Sequence, residues 1–470
     1  MAVTGDAQGP GRLPGPGLLP AAWPLRAASM LRDPSAALTR MARRHGGVCT
    51  WNPQDPRHVF VFSPDRLREV FSRPDLFVVD SFREFQTPPG SSFDRLGAGL
   101  TRLNGAEHRR HRQIMQPPLR QQRVLGHREA VVELTERELR RWRDRPLVRL
   151  DQRMSALITE IAVRTVFGVE SPERADRLRR LVSRFLAQAS SPATLALQRD
   201  LPGTPYRRTM RLAEEIEATI REIMAERRRQ GTEGPDLLSA MLTARDEHAP
   251  ALTDDEIVSE AYTAFCHESS ASALTWTLFL LDQHPKVLAD LREELDGVLG
   301  GRPPDEEDLP KLELLQAVLK ESLRLLPPTP LSMRYAAEEC ELGGYRIPAG
   351  ATVFYSPYVT HRNAAVFPQA ARFDPGRWRT ARPTVYEYLP FGAGPHHCVG
   401  RHFALLEITI VLSMLLQRHR LSLVPGTRID RANRMALVPR DGMPMRVLSP
   451  SSAAPAPHVR GDIRTSIDLS

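Results

Sequence analysis

The run Phe391-Gly392-Ala393-Gly394-Pro395-His396-His397-Cys398-Val399-Gly400 constrains this 470-residue chain more than any other stretch of it. Its glycines let the backbone bend tightly and turn N–H groups toward the sulfur. Behind the cysteine, Phe403, Leu406, Ile410 and Met414 recur at helical spacing, which predicts a helix with one apolar face. Cys398 therefore stands close to a helix N-terminus, whose positive dipole end favours thiolate over thiol. A thiolate held in this way is either a nucleophile or a metal ligand.

Three readings of the loop compete. His396, His397, Cys398 and His402 lie close enough together to suggest zinc. Structural zinc sites, however, draw ligands from two separated pairs, and no second Cys or His pair stands elsewhere. A nucleophilic cysteine needs a base and an orienting partner; histidines are adjacent, but no protease-like signature surrounds them. The third reading is an axial thiolate to haem iron, which also demands a rigid scaffold behind the loop.

Such a scaffold is legible upstream. Glu321 and Arg324 fall on one face of a helix expected over 312–326 and stopped by Pro327-Pro328. Alone, a pair of this kind is ordinarily a solvated surface pair contributing little. The aromatic segment Phe373-Asp374-Pro375-Gly376-Arg377-Trp378 brings a second arginine, and Glu321, Arg324 and Arg377 buried together would form a charge-assisted network. Earlier still, Thr253 and Glu256 make a capping box for a long helix running through Ala264–Ala271. Glu268 and Ser269 place an acid and a hydroxyl inside it, suited either to proton delivery or to bonding their own helix carbonyls.

Four segments in this order, 264–270, Glu321…Arg324, Phe373…Trp378 and Phe391…Gly400, resemble the cytochrome P-450 superfamily of haem-thiolate monooxygenases, soluble bacterial type. Softer similarity runs from about Asp33 to Val447 and includes 344–350 and 388–391. The resemblance implies a mainly α fold with a minor β-sheet region in one large domain. Haem b would lie between the helix bearing Glu268 and the helix after Cys398, the family's I-helix and L-helix. It makes Cys398 the axial iron ligand, with Phe391, Gly392 and Gly400 shaping its loop. His108, Arg112, Arg334 and His396 would face the haem propionates, and Glu268 and Ser269 would deliver protons to bound oxygen. Arg109 and Arg110 read as ordinary members of an arginine-rich chain. Against the family pattern, Ser269 replaces threonine, Cys266 replaces glycine and Phe265 a small residue. His396 stands where arginine is usual, and its charge would titrate near neutrality.

Composition bounds partners and compartment. Lys and Arg number 64 against 56 Asp and Glu, a net charge of +8 that raises the question of nucleic acid. The arginines are dispersed, aromatics make up only 6%, and no nucleic-acid module is visible, so that partner is excluded. Basic residues near Cys398, Arg401 among them, suit docking of an acidic electron donor. By the resemblance, electrons come from NAD(P)H through an external ferredoxin or flavodoxin-type protein and its reductase. Four cysteines fit a reducing cytoplasm better than a disulfide framework. No apolar run long enough to span a bilayer and no leader pattern is seen, so a cytoplasmic protein without a membrane anchor is expected. Residues 1–30 and 449–470, rich in Pro, Gly, Ala and Ser, read as poorly ordered or disordered tails flanking a domain over 31–448. Strands are expected at Val48–Trp51, His58–Phe62 and Leu437–Val447.

The expected substrate is an apolar molecule of medium size, terpenoid, fatty acyl or polyketide-like, hydroxylated or epoxidised in secondary metabolism. Phe85, Phe265, Ser332 and Met435 are the candidate pocket residues, with Phe82, Phe93, Leu96 and Leu331 nearby in the same reading. Any one of these is more often ordinary core. Two other functions stay open: a haem-thiolate enzyme that isomerises or couples substrates without ordinary oxygen insertion, and a non-catalytic haem sensor.

Overall fold

The computed structural model describes residues 11–16, 29–30, 33–143, 145–169, 171–244, 250–265, 268–452 and 457–469. The chain divides into two compact units, each assembled from separated stretches. The smaller comprises 1–80, 329–370 and 381–397, and the larger 81–328, 371–380 and 398–470.

The smaller unit is built on a five-stranded sheet ordered Val48–Thr50, His58–Val61, Thr352–Tyr355, Ser332–Ala336 and Phe77–Val78. His58–Val61 and Thr352–Tyr355 pair in parallel, with Phe60 opposite Phe354; the remaining pairs are antiparallel. Both faces are covered, so these short strands lack polar alternation. One face buries Val59, Val61, Val353 and Tyr355 against Leu67, Val70 and Phe71. The other packs Cys49, Phe60 and Phe62 with Leu38 from the helix Pro34–His45, which Asp33 caps by accepting from the Ala36 amide at 3.0 Å. Residues 11–16, expected to belong to a loose tail, are packed here. Leu13 joins the core, Gly11 bridges to Tyr345, and the Thr50 amide donates to the Pro14 carbonyl at 2.9 Å. Most of the rest of 1–30 lies outside the described residues.

The larger unit is mainly helical. The helices Leu150–Phe167, Pro172–Ala189, Pro205–Gln230 and Asp254–Phe265 share one apolar core, which also takes in Phe93 and Leu96. The capping box at 253–256 forms as expected, with the Thr253 amide donating to Glu256 at 2.7 Å and the Glu256 amide to Thr253 Oγ1 at 3.3 Å. The helix Glu268–Gln283 is buried on every side from Ser270 onward. Two of its hydroxyls bond its own backbone, Thr275 and Thr277 each donating 2.7 Å to the carbonyl four residues back. The helix expected over 312–326 spans Glu313–Leu325, and the helix behind the cysteine spans Arg401–Arg418 with Gly400 as its N-cap. Among the described residues no helix is long and apolar enough to cross a membrane.

Two expectations need correction. The single late strand is two strands in different sheets. Leu437–Pro439 forms a hairpin with Arg431–Asn433, whereas Pro444–Leu448 pairs with Leu147–Arg149 and Arg420–Leu423. Between them the chain turns at Gly442, whose φ of +82° favours glycine. Nor is the C-terminal segment loose throughout: over 457–469 it packs onto the larger unit. Val459, Ile463 (0% exposed) and Ile467 (2%) stand four residues apart around a short turn, Asp462–Thr465, and bury one side of it. The Ile429 amide donates to the Arg460 carbonyl at 2.8 Å, and the Asp468 amide to the Ala371 carbonyl at 3.0 Å.

Candidate active site

In the smaller unit the glycine loop is held from below. Gly392 and Gly394 adopt φ of +71° and +69°. A Cβ at Gly394 would come within 2.8 Å of the Phe71 carbonyl oxygen, so only glycine allows the loop to pass there. The Gly392 amide donates to the Leu389 carbonyl and the His397 amide to the Gly394 carbonyl, each at 3.1 Å. Beneath lies His361, fully buried, whose Nε2 accepts from the Leu389 amide at 2.9 Å. Sequence reasoning missed His361, because its partner lies 28 residues away and is a backbone group. Arg334 is buried beside Phe71 and Tyr355, 5.4 and 5.5 Å from their ring centres, and donates 2.8 Å to the Met333 carbonyl. His396 and Ser332 are half-buried.

In the larger unit Cys398 precedes the helix Arg401–Arg418. Its side chain keeps an accessible face, yet the protein around it is dense enough that desolvation pushes the thiol pKa up. Three features oppose that rise: the Gly400 N–H, and the positive charges of Arg112 and Arg401. Arg112 sits on the helix Gly105–Met115, where burial lowers its own pKa and Cys398 raises it. His108, one turn earlier on that helix, is buried.

The same helix carries His111, a residue the sequence did not single out. It is buried, with Nδ1 2.7 Å from Glu260 Oε1 and Nε2 3.3 Å from Glu256 Oε1. Arg110, read from the sequence as an ordinary member of an arginine-rich chain, is half-buried and pairs with Glu107 at 2.9 Å and with Glu256. Glu107, His111 and Glu256 could hold a metal ion by distance alone, but the Arg110 guanidinium already supplies the positive charge between those carboxylates.

Glu268 is half-buried, and desolvation raises its pKa while Arg434 lowers it. It lines a cavity of about 20 Å³ together with Phe265, Ser155, Thr159, Arg179 and Ser183. That is room for about one water. Ser269 is exposed, and Cys266 lies outside the described residues. Next to them, Ser270 faces Glu407 of the helix Arg401–Arg418. Glu407 is fully buried, and neither carboxylate oxygen has a partner of hydrogen-bond geometry, although Ser270 is near enough to offset slightly what burial does to it.

The expected charge network forms completely. Glu321 and Arg324 are fully buried and joined by two bonds of 2.9 Å. Arg377 Nε donates to the same carboxylate at 2.9 Å, the Asp374 amide at 3.0 Å and Trp378 Nε1 at 3.1 Å. Both guanidinium groups also reach the Arg372 carbonyl, at 3.1 and 3.3 Å. The contributions of Trp378 and Asp374 were not foreseen.

The pocket candidates divide. Phe85 is half-buried with its ring 5.3 Å from that of Phe93, and its loop is tied to the 198 region by Gln198, which accepts from the Gln86 amide at 2.6 Å and donates to the Glu84 carbonyl at 2.9 Å. Phe265 is buried beside Phe167 but lines the Glu268 cavity, and Met435 is 53% exposed at a hairpin turn. Phe93 and Leu96 have no accessible surface and are core instead of pocket wall, because the helical core closes over them.

These residues fit a haem-bound thiolate: an accessible sulfur, an N–H and two guanidinium groups favouring its charge, and a backbone loop that only glycine can make. Comparison with known proteins agrees. The family model "Cytochrome P450" matches residues 13–443. A relative from Streptomyces melanosporofaciens, "Cyclooctat-9-en-7-ol 5-monooxygenase", is 33% identical over 399 residues, 82% of this chain and 84% of its own. "Pentalenene oxygenase" of Streptomyces avermitilis is 31% identical, covering 78% and 82%. Among solved structures, the haem domain of cytochrome P450DA superposes with a TM-score of 0.81 at 24% identity, over 94% of this chain and 98% of that one; this bears on the fold alone. The chain belongs to the cytochrome P450 family, the haem-thiolate monooxygenases.

Proposed function

We propose that this enzyme oxygenates a polycyclic terpenoid, with Cys398 as the axial iron ligand and with electrons delivered from NAD(P)H by a separate ferredoxin or flavodoxin-type donor and its reductase in the cytoplasm. The observation that carries this reading is the setting of Cys398: an accessible sulfur at the end of the glycine loop, whose thiol pKa burial pushes up while the Gly400 N–H, Arg112 and Arg401 oppose that rise. Bound haem would supply dioxygen activation, one oxygen atom entering the substrate and the other leaving as water with two electrons from the donor and two protons. The substrate class rests on the two Streptomyces relatives, whose names specify a hydrocarbon and an alcohol of such skeletons.

The chain's own residues do the rest. His108 and Arg112, one turn apart on the same helix, are the residues that would hold the haem propionates. Arg334 and His396 are assigned to them by the family pattern, and Arg334 is pre-oriented against the Phe71 and Tyr355 rings. Glu268, its proton affinity raised by burial, holds a proton and passes it through the Ser269 hydroxyl to the reacting oxygen, replenished by way of the cavity at its side. Phe85 and Phe265, both in the larger unit, are assigned to apolar contacts with the substrate. Glu321, Arg324 and Arg377 keep the meander 371–380 fixed against its helix.

The reduced protein under carbon monoxide is expected to show the absorption of a thiolate-ligated haem, lost in Cys398→Ser. Pentalenene and cyclooctat-9-en-7-ol, added to the ferric protein, are expected to shift its spin state, whereas fatty acids of equal size are not. Fatty acids shifting it in place of both terpenoids would overturn the substrate class.

A further inference from the structure

The helix Gly105–Met115 carries both His108 and Arg112, yet little of it is apolar. Its two large apolar side chains, Ile114 and Met115, stand together in the last turn, where they enter the apolar core of the larger unit. A short helix takes its stability and orientation from packing more than from propensity. The earlier turns, which present His108 and Arg112, must therefore be fixed by polar side chains.

Two neighbouring residues reach from them toward the helix Asp254–Phe265. Arg110 pairs with Glu256 and donates 3.5 Å to the Pro250 carbonyl; both partners have solvent access. His111 reaches deeper. It is 1% exposed and Glu260 is 0% exposed, and Nδ1 stands 2.7 Å from Oε1. Behind Glu260 the chain at Gly99 runs so close that a Cβ there would lie 3.3 Å from the carboxyl carbon and 2.6 Å from Thr263 Oγ1. The other carboxyl oxygen, Oε2, has no hydrogen-bond partner among the described residues. His111 is thus the side chain that satisfies this buried carboxyl, and a buried carboxyl without its partner is costly. Every one of these residues belongs to the larger unit.

His111 follows His108 by three residues and precedes Arg112 by one, so with about 3.6 residues per turn its side chain leaves the helix beside theirs. Turning the helix about its axis would swing the two basic side chains and break the bond to Glu260 in the same movement. We propose that His111, bonded to Glu260, is a positioning residue for His108 and Arg112, fixing the rotation and height of their helix against Asp254–Phe265 and so the grip on the haem propionates. This inference rests on the reading of His108 and Arg112 as the residues that hold those propionates.

The test uses the haem-loaded full-length protein and reads two quantities, the rate of haem transfer to excess apomyoglobin and the haem reduction potential. Arg112→Gln is the reference: loss of its charge is expected to speed transfer and lower the potential. His111→Phe keeps a ring and removes both nitrogens. It is expected to release haem roughly tenfold faster than wild type and to lower the potential in the same direction. His111→Gln, whose amide can still donate to Glu260, is expected to restore most of both. Glu260→Gln is expected to give a smaller change than His111→Phe, and the two together no more than His111→Phe alone, since the side chains act as one bond. A lowered melting point with an unmoved potential would overturn the proposal, as would additive losses in the double variant or equal losses from His111→Phe and His111→Gln. Should His111→Phe not fold, unchanged transfer and potential in Glu260→Gln would overturn it instead. If Arg112→Gln retains haem as wild type does, the propionate reading falls and this inference with it. If Arg112→Gln sheds haem and His111→Phe does not, this inference alone falls.

Discussion

Glu321 and Glu407 are both fully buried carboxylates in the larger unit, yet their surroundings are opposite. Glu321 receives donors from Arg324, Arg377, Trp378 and the Asp374 backbone. Glu407, on a helix flank among apolar residues, receives none of proper geometry, and burial pushes its pKa up to about 8. The first is a rivet: its charge is what two guanidinium groups need. The second is a neutral acid through most of the physiological range. Burial alone does not tell a structural carboxylate from a titrating one; the donors within reach do.

The sharpest way to break this contrast is Glu321→Ala, which strands two buried guanidinium groups. It is expected to cost about 3–5 kcal/mol of stability, read as the denaturation midpoint. A loss under about 1 kcal/mol would remove the rivet reading. Next comes Glu407→Gln, and here the sign matters. A carboxyl whose folded pKa lies above its ordinary value of 4.5 contributes stability that is complete below pH 4.5 and is lost as pH rises toward about 8. In that window the wild type is expected to lose about 1.4 kcal/mol per pH unit relative to the glutamine variant. Parallel stability curves for the two proteins would show Glu407 to be ionised throughout. Asp282 sharpens the comparison from between the extremes. It accepts from the Leu423 amide at 3.0 Å and from Gln283 at 3.1 Å, while its other oxygen is bare and its pKa is raised chiefly by burial. Asp282→Asn keeps an acceptor for Leu423 and is expected to change stability by no more than about 1 kcal/mol at neutral pH. Smallest of all, Ser270→Ala is expected to raise the Glu407 midpoint slightly, seen as a small upward move of the pH above which its stability curve runs parallel to that of Glu407→Gln.

What could be read from the chain follows the range of the interactions. The helix after Cys398, the Thr253–Glu256 capping box and the Glu321–Arg324 spacing are local patterns, and each appears where spacing puts it. Trp378 and the Asp374 amide reach Glu321 only across the meander, and His361 meets Leu389 only after the loop folds back, so no spacing announces them. Glu407 was invisible for another reason: on a helix a lone acid looks solvated until the neighbouring helix is known to cover it. The packed segment 457–469 had a usable signal, the four-residue spacing of Val459, Ile463 and Ile467, masked by the Pro, Ala and Ser that precede it. The late strand was misjudged because Gly442 was not read as a turn.

The bond from the Asp468 amide to the Ala371 carbonyl joins points nearly a hundred residues apart, next to the Arg372 carbonyl that Arg324 and Arg377 share. Further back the segment is held more firmly, by the Ile429 amide on the Arg460 carbonyl and by the Arg431–Asp462 ion pair. The contact at Ala371 is expected to open before the fully buried Glu321–Arg324 pair beside it. In heavy water the Asp468 amide should exchange its proton well before those of the helix Glu313–Leu325, timing the earliest loosening of the meander while the bound pigment still looks intact.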